Sequence, residues 1–173
     1  LFSLFTILNF LFASAPNWDC DGDGVLDNYN DYQNNGSITL IVNVDGVNTG
    51  SCDDWVSTGP TTGYCNSDVH DLLAVFVGDE QRGVGALAQI PFGPNAGQYV
   101  FLTLIYSDEA SGESMTFKVY DSETDTVYNL EADEFCDGDN CFGTDGNYEF
   151  ISDMTWGDVV SPLVFNSSPN SFS

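Results

Sequence analysis

Short apolar runs recur along this chain at spacings of about ten residues, with Gly, Pro, Asn and Asp between them, and this punctuation constrains the fold more than any other feature. In SITLIVNV, Ile38, Leu40, Val42 and Val44 alternate onto one face, and DGVN follows as a turn. The runs DLLAVFV, VGALAQIPF, YVFLTLIYS, SMTFKVYD, TVYNLEADEF, YEFISDM and PLVF come next, separated by turn sequences such as VGDEQRG and GPNAG. A 3.6-residue apolar period is missing over any useful length, so the expected class is all-β: an antiparallel β-sandwich or jelly-roll over residues 37–165. YVFLTLIYS is apolar on both faces and is expected as a central strand. The flanks differ in composition. Residues 1–16 read as an apolar N-terminal extension strand, 17–36 as an acidic, calcium-binding linker, and 166–173 as a polar tail.

The charge balance removes whole classes of function. The chain of 173 residues has 27 acids against two bases, Arg82 and Lys118, for a formal charge of −25. No basic patch can be built, which excludes nucleic acid and disfavours an anionic membrane surface. With 42% hydrophobic residues the chain can bury a core and is not a disordered acidic tail. Its mutually repelling carboxylates favour a setting rich in divalent cations, so the expected location is extracellular or the cell surface.

Five cysteines and no CxxC argue for disulfides in an oxidising compartment rather than zinc. Local pairing would join Cys52 to Cys65 and Cys136 to Cys141, leaving Cys20 as a free thiol or a bond to a neighbouring subunit. Asn35 and Asn166 head N-x-S/T sequons and are the candidate glycan sites.

DCDGDGVLD is the sharpest chemical motif. Asp19, Asp21, Asp23 and Asp27 alternate around Gly24, which permits the tight turn that aims their oxygens at one point. The Val25 carbonyl can add a ligand, and Leu26 can anchor the loop to apolar surface. Hard oxygen donors of this kind suit Ca²⁺ better than Mg²⁺, which dehydrates reluctantly. Where an EF-hand has its bidentate Glu this chain has Asn30, and no helical pattern flanks the loop, so the motif resembles thrombospondin type 3 repeats instead. Asp137, Asp139 and Asp145, in CDGDNCFGTD, form a looser second candidate site.

Catalysis finds little support. His70, the one histidine, has Asp68 and Asp71 beside it and could be oriented as a base, but no G-x-S-x-G elbow accompanies it. No catalytic residue is assigned, and the chain is not expected to be an enzyme. Trp18, Trp55 and Trp156 could form a sugar-stacking platform, with core packing as the alternative for each.

Asp71, Ala74, Phe76, Gly78, Arg82 and Gly83, followed by Gly112, Glu113, Phe117, Tyr120 and Asp121, fit a pattern spread over roughly 37–165. The pattern resembles a β-sandwich module recurrent in secreted bacterial surface proteins, with Gln81 where that family often has Cys. The resemblance implies a structural or binding unit, and it implies that Arg82 pairs with a carboxylate across a turn.

The opening LFSLFTILNFLFASAP has four readings. A signal peptide is suggested by ASA, against the lack of a basic region. A membrane helix of this length spans only about 22 Å, short of the hydrocarbon core. A pilin-like assembly helix would need a glutamate near its start. The fourth is a strand with Phe2, Leu4, Leu8, Phe10 and Phe12 on one face and Phe5, Ile7 and Leu11, with Leu1, on the other. Such a strand must be buried on both faces, either in its own sheet or in that of the next subunit. The expected function is therefore the structural subunit of an extracellular filament, a helical homopolymer joined head to tail by these strands. It resembles donor-strand pili and glycosylated filaments of jelly-roll protomers. The alternative is a monomeric, calcium-stabilised carbohydrate- or adhesion-binding module of a secreted surface protein.

Overall fold

The computed structural model describes residues 15–50, 52, 54–59, 63–65, 70–130, 134–137, 140–144, 147–160 and 162–167. The expected N-terminal strand, with Phe2, Leu4, Phe5, Ile7, Leu8, Phe10, Leu11 and Phe12, lies outside them, as do Asp139 and Asp145. The all-β expectation holds, and one short 3-10 turn, Tyr29–Asp31, is the only helical element among the described residues.

The strands are β1 (Asn34–Val44), β2 (Val47–Thr49), β3 (Trp55–Ser57), β4 (Gly63–Cys65), β5 (Leu72–Val77), β6 (Glu80–Gln89) and β7 (Tyr99–Ser107), followed by β8 (Ser111–Asp121), β9 (Thr126–Leu130), β10 (Glu134–Asp137), β11 (Asn140–Thr144), β12 (Asn147–Ile151), β13 (Thr155–Trp156) and β14 (Leu163–Ser167). Twelve of them form one curled sheet in the order β10-β11-β12-β8-β5-β6-β7-β1-β13, with β14 and β2 also on β1 and β9 also on β8. β3 and β4 make a separate ribbon. Pairing is antiparallel except where β13 and β14 run parallel to β1. Strand β14 comes close to β9 and β10, so the two ends of the sheet meet around the core.

Local chemistry sets the register. Asp45 and Gly46, at φ 51 and 80, form the two-residue loop that pairs Val44 with Val47. Asp-Gly suits such a loop because both central residues need positive φ. After β8, the Asp121 carboxylate accepts the N–H groups of Glu123 and Thr124 and so fixes the turn into β9.

Alternation then divides the side chains. Ile38, Leu40, Val42, Leu73, Val75, Phe101, Ile105, Phe117 and Val119 point inward to one core, joined by Tyr148, Phe150, Trp156 and Phe165. Each such side chain contributes about 1.5–3 kcal/mol on burial. The opposite, outer face carries Ile41, Ala88, Ile90 and Val100 as a second small cluster under Val159. β7 is a central strand as expected, between β6 and β1. Its outward Leu102 and Leu104 are nevertheless 38% and 41% exposed.

Candidate metal centre

The acidic segment, expected as a linker, is held against the outer face of the sheet by its own apolar residues. Leu26 is buried, as its position in the motif suggested. Trp18 meets Phe76 edge-on at 5.9 Å, and its carbonyl accepts Gln81 Nε2 at 2.6 Å. Tyr29 and Tyr32 pack on Tyr106 at 5.8 and 6.4 Å. Burial pushes the Tyr32 and Tyr106 phenols up from their ordinary pKa, and for Tyr32 the hydrogen bond it donates to Glu80 at 2.8 Å adds to the rise.

Arg82 is the bolt beneath this layer. It is buried, its guanidinium lies 4.7 Å from the Tyr32 ring centroid, and it pairs with Glu113 at 3.2 Å and Glu80 at 3.3 Å. The Ser107 hydroxyl also donates to Glu113. Arg82 does pair with carboxylates, but with Glu80 on its own strand and Glu113 on β8 rather than across a turn, and the pairing fastens the acidic segment to β6, β7 and β8.

Within the segment, Gly22 and Gly24 take left-handed φ of 73 and 76. Asp19 accepts the N–H of Gly22 at 2.9 Å and of Gly24 at 2.8 Å, and Asp23 accepts that of Val25 at 2.8 Å. These bonds wind the loop so that Asp19, Asp21 and Asp27 each present a carboxylate oxygen within 4.8 Å of the others. Asp23, the fourth expected ligand, stands outside this trio and braces Val25 instead. Three anionic oxygens at this separation repel one another, and a divalent cation between them removes the repulsion while its hard-oxygen preference is met. Cys20 lies exposed beside the trio, and its hydrogen bond to Asp27 pushes the thiol pKa up.

A cleft of about 110 Å³ separates the loop from the sheet, lined by Asp19, Asp23, His70, Asp71, Leu72 and Gly85 among others. Asp71 is buried beside the cleft. Both its oxygens take structural hydrogen bonds, from Gly50 N at 2.7 Å and from Ser122 N and Oγ at 2.8 and 2.7 Å. Asp68 lies outside the described residues.

The remaining candidates fall into place by burial. Cys52 and Cys65 form a disulfide, as expected. Cys136 and Cys141 face each other across β10 and β11 in the backbone register, but their side chains, with that of Asp137, lie outside the described ones. Asn35 is exposed on β1, and Asn166 lies by its backbone in β14. The three tryptophans do not share a platform: Trp156 is in the core, Trp18 is on Phe76, and half-buried Trp55 stands edge-on to Tyr99 at 5.8 Å.

Sequence reasoning missed Tyr29, Tyr32 and Tyr106 as the aromatic seat of the loop. The signal was present, since Trp18, Leu26, Tyr29 and Tyr32 are apolar interruptions in an otherwise acidic, Asn-rich stretch. Compared with known proteins, the chain matches no family model, no curated protein and no solved structure.

Proposed function

We propose that the chain is a calcium-stabilised, non-catalytic structural or adhesion module of a secreted protein, its curled sheet a jelly-roll-like sandwich. The observation that carries this reading is the convergence of the Asp19, Asp21 and Asp27 oxygens within 4.8 Å on a loop fastened to the sheet. A cation there would join both ends of the loop and hold Leu26, Tyr29 and Tyr32 on the outer face. The Cys52–Cys65 bond supports an oxidising, extracellular setting. Calcium titration followed by calorimetry and thermal melting tests the proposal. The expected dissociation constant is about 10⁻⁴–10⁻³ M, as for extracellular modules. Calcium at a hundred times that constant should stabilise the fold by about 2.7 kcal/mol. Asp19→Asn/Asp27→Asn should abolish the response. Identical melting in calcium and in chelator for the unaltered protein would sink the metal.

A second reading, the head-to-tail filament, is favoured by the edge of the sheet. β14 pairs with β1 and, among the described residues, with no other strand. Its sequence LVFNS is uncharged, and Val164 is 53% exposed. An uncharged strand at the margin of a sheet can template an added strand. In this reading the apolar segment 1–16 of one subunit pairs with β14 of the next. Electron microscopy of the full chain should then show fibres that Phe5→Asp/Leu8→Asp disperses. Single particles for both proteins would reject the filament.

A further inference from the structure

The acidic segment lies on the sheet without joining it. Among the described residues, the backbone–backbone hydrogen bonds of 17–32 are local: Tyr29 N to Leu26 O, Asp31 N to Asn28 O and Tyr32 N to Tyr29 O. The bonds that reach the sheet involve side chains, from Gln81 Nε2 to the Trp18 carbonyl and from the Tyr32 hydroxyl to Glu80. The strands beneath, β5, β6 and β7, are tied to one another by backbone ladders. The segment nevertheless covers part of them. Trp18 sits on Phe76 of β5, Gly24 on Ala86 of β6, and Tyr29 and Tyr32 on Tyr106 of β7. Among these seats stand Ala74 and Val84, paired across β5 and β6. Alternation takes both away from the main core, yet both are buried, and the acidic segment is their cover. Charge works against that cover. Residues 17–32 carry Asp19, Asp21, Asp23, Asp27 and Asp31 and no base, in a chain of formal charge −25. The chain's two bases both stand at the seats, Arg82 at 4.7 Å from the Tyr32 ring and Lys118 at 4.6 Å from the Phe76 ring.

We propose that residues 17–32 are a strap that opens as one unit while the sheet beneath stays paired, uncovering the apolar patch of Ala74, Phe76, Val84, Ala86 and Tyr106. Opening breaks no ladder bond. It costs the side-chain anchors alone, and it moves five like charges away from an acidic body, whereas unfolding the sheet costs the anchors and the ladders together. Leu26, buried midway along the segment, ties its two halves to the same seat, so that they leave together. The consequence is a switchable surface. Closed, this part of the outer face presents aspartates; open, it presents aliphatic and aromatic side chains. A cation held by Asp19, Asp21 and Asp27 would bind the closed form and keep the strap shut, so that calcium would control exposure of the patch. That control rests on the metal reading above; the strap does not.

Native-state hydrogen exchange of the full chain in chelator, at rising sub-denaturing urea, is the test. The amides of Gly24, Val25, Tyr29 and Tyr32 are hydrogen-bonded in the closed form. They should exchange about tenfold or more faster than those of β6 and β7, and with a smaller urea dependence, because opening the strap exposes less surface than unfolding the sheet. Leu26→Ala should speed exchange at Gly24 and at Tyr32 together, by about tenfold or more. Val42→Ala acts on the main core, at a residue of β1 paired with Thr49 and Phe165. It should speed exchange in the sheet by about tenfold and leave the strap amides unchanged. Strap and sheet amides that share one urea dependence and respond alike to Val42→Ala overturn the proposal, because the segment then opens only with the whole fold. A response to Leu26→Ala at Tyr32 but not at Gly24 also overturns it, since that is fraying rather than release of a unit. Should Val42→Ala not fold, the urea dependence decides by itself. Calcium at a hundred times its dissociation constant should slow strap exchange by about a hundredfold. If calcium changes nothing while the urea dependences differ, the lock is rejected and the strap stands.

Discussion

Replacing Gly24 with Ala should lower calcium affinity by about tenfold or more and destabilise the fold by about 1–3 kcal/mol. Two independent costs coincide at this residue. Its φ of 76 is left-handed, where a Cβ crowds the neighbouring backbone. The added Cβ would also stand 2.6 Å from the Cβ and 3.0 Å from the Cα of Ala86. Neither of those atoms is the end of a flexible side chain, so the loop must lift from β6. Lifting it moves Asp19, whose carboxylate receives the Gly24 N–H, and with Asp19 goes the geometry of the oxygen trio. Gly22 provides the control. Its φ is 73, but a Cβ there would meet nothing within 4 Å. Gly22→Ala should therefore carry only the backbone cost of about 1 kcal/mol and keep most of the binding. Calcium titration and thermal melting of the two variants separate strain from docking. If Gly24→Ala binds calcium and melts like Gly22→Ala, contact with Ala86 is not what seats the loop.

The comparison of these two glycines also shows how far the sequence could be read. The motif DCDGDGVLD predicted a convergence of its aspartates, and Asp19, Asp21 and Asp27 do converge. It did not announce where the loop sits. That depends on Ala86, whose small side chain leaves room for Gly24, and such complementarity between distant segments leaves no local trace. The strands were legible where a single period governed them: SITLIVNV, YVFLTLIYS and SMTFKVYD lie within β1, β7 and β8. The short strands β2, β3, β11 and β13 were not, because two to five residues are too few to show alternation. Nor was the parallel pairing of β13 and β14 with β1, which reflects how the sheet curls rather than any local propensity. Reading YVFLTLIYS as central was right, while its two exposed leucines show that apolar sequence on both faces does not guarantee cover on both.

Asp71→Ala should cost about 3 kcal/mol of stability, although it removes one negative charge from a chain that already carries too many. On net charge alone the substitution would be favourable, since fewer like charges mean less self-repulsion. The local arrangement decides otherwise. Asp71 is 3% exposed and joins three stretches of chain: Gly50 after β2, the start of β5, and Ser122 in the turn after β8. Its carboxylate accepts two backbone N–H groups and a hydroxyl, and Ala would leave these donors buried without an acceptor. Asp71→Asn keeps the volume but turns an N–H₂ donor toward donors on one side, so it should recover only part of the loss. For a chain of this size, about 3 kcal/mol corresponds to a fall in Tm of roughly 6–12 °C. Asp108→Asn removes the same charge at an exposed position and should stay within about 0.5 kcal/mol of the unaltered protein. Ser122→Ala, which deletes the hydroxyl but keeps its backbone N–H bond, should fall between them at about 1 kcal/mol. Differential scanning calorimetry of the four variants orders these effects. An Asp71→Ala protein that melts with Asp108→Asn would mean that relief of repulsion, not hydrogen bonding to a buried carboxylate, governs this corner of the sheet. High salt distinguishes the two causes again. Screening should raise the Tm of every variant together and leave the gap between Asp71→Ala and Asp108→Asn open, because unpaired donors in the protein interior are beyond the reach of mobile ions.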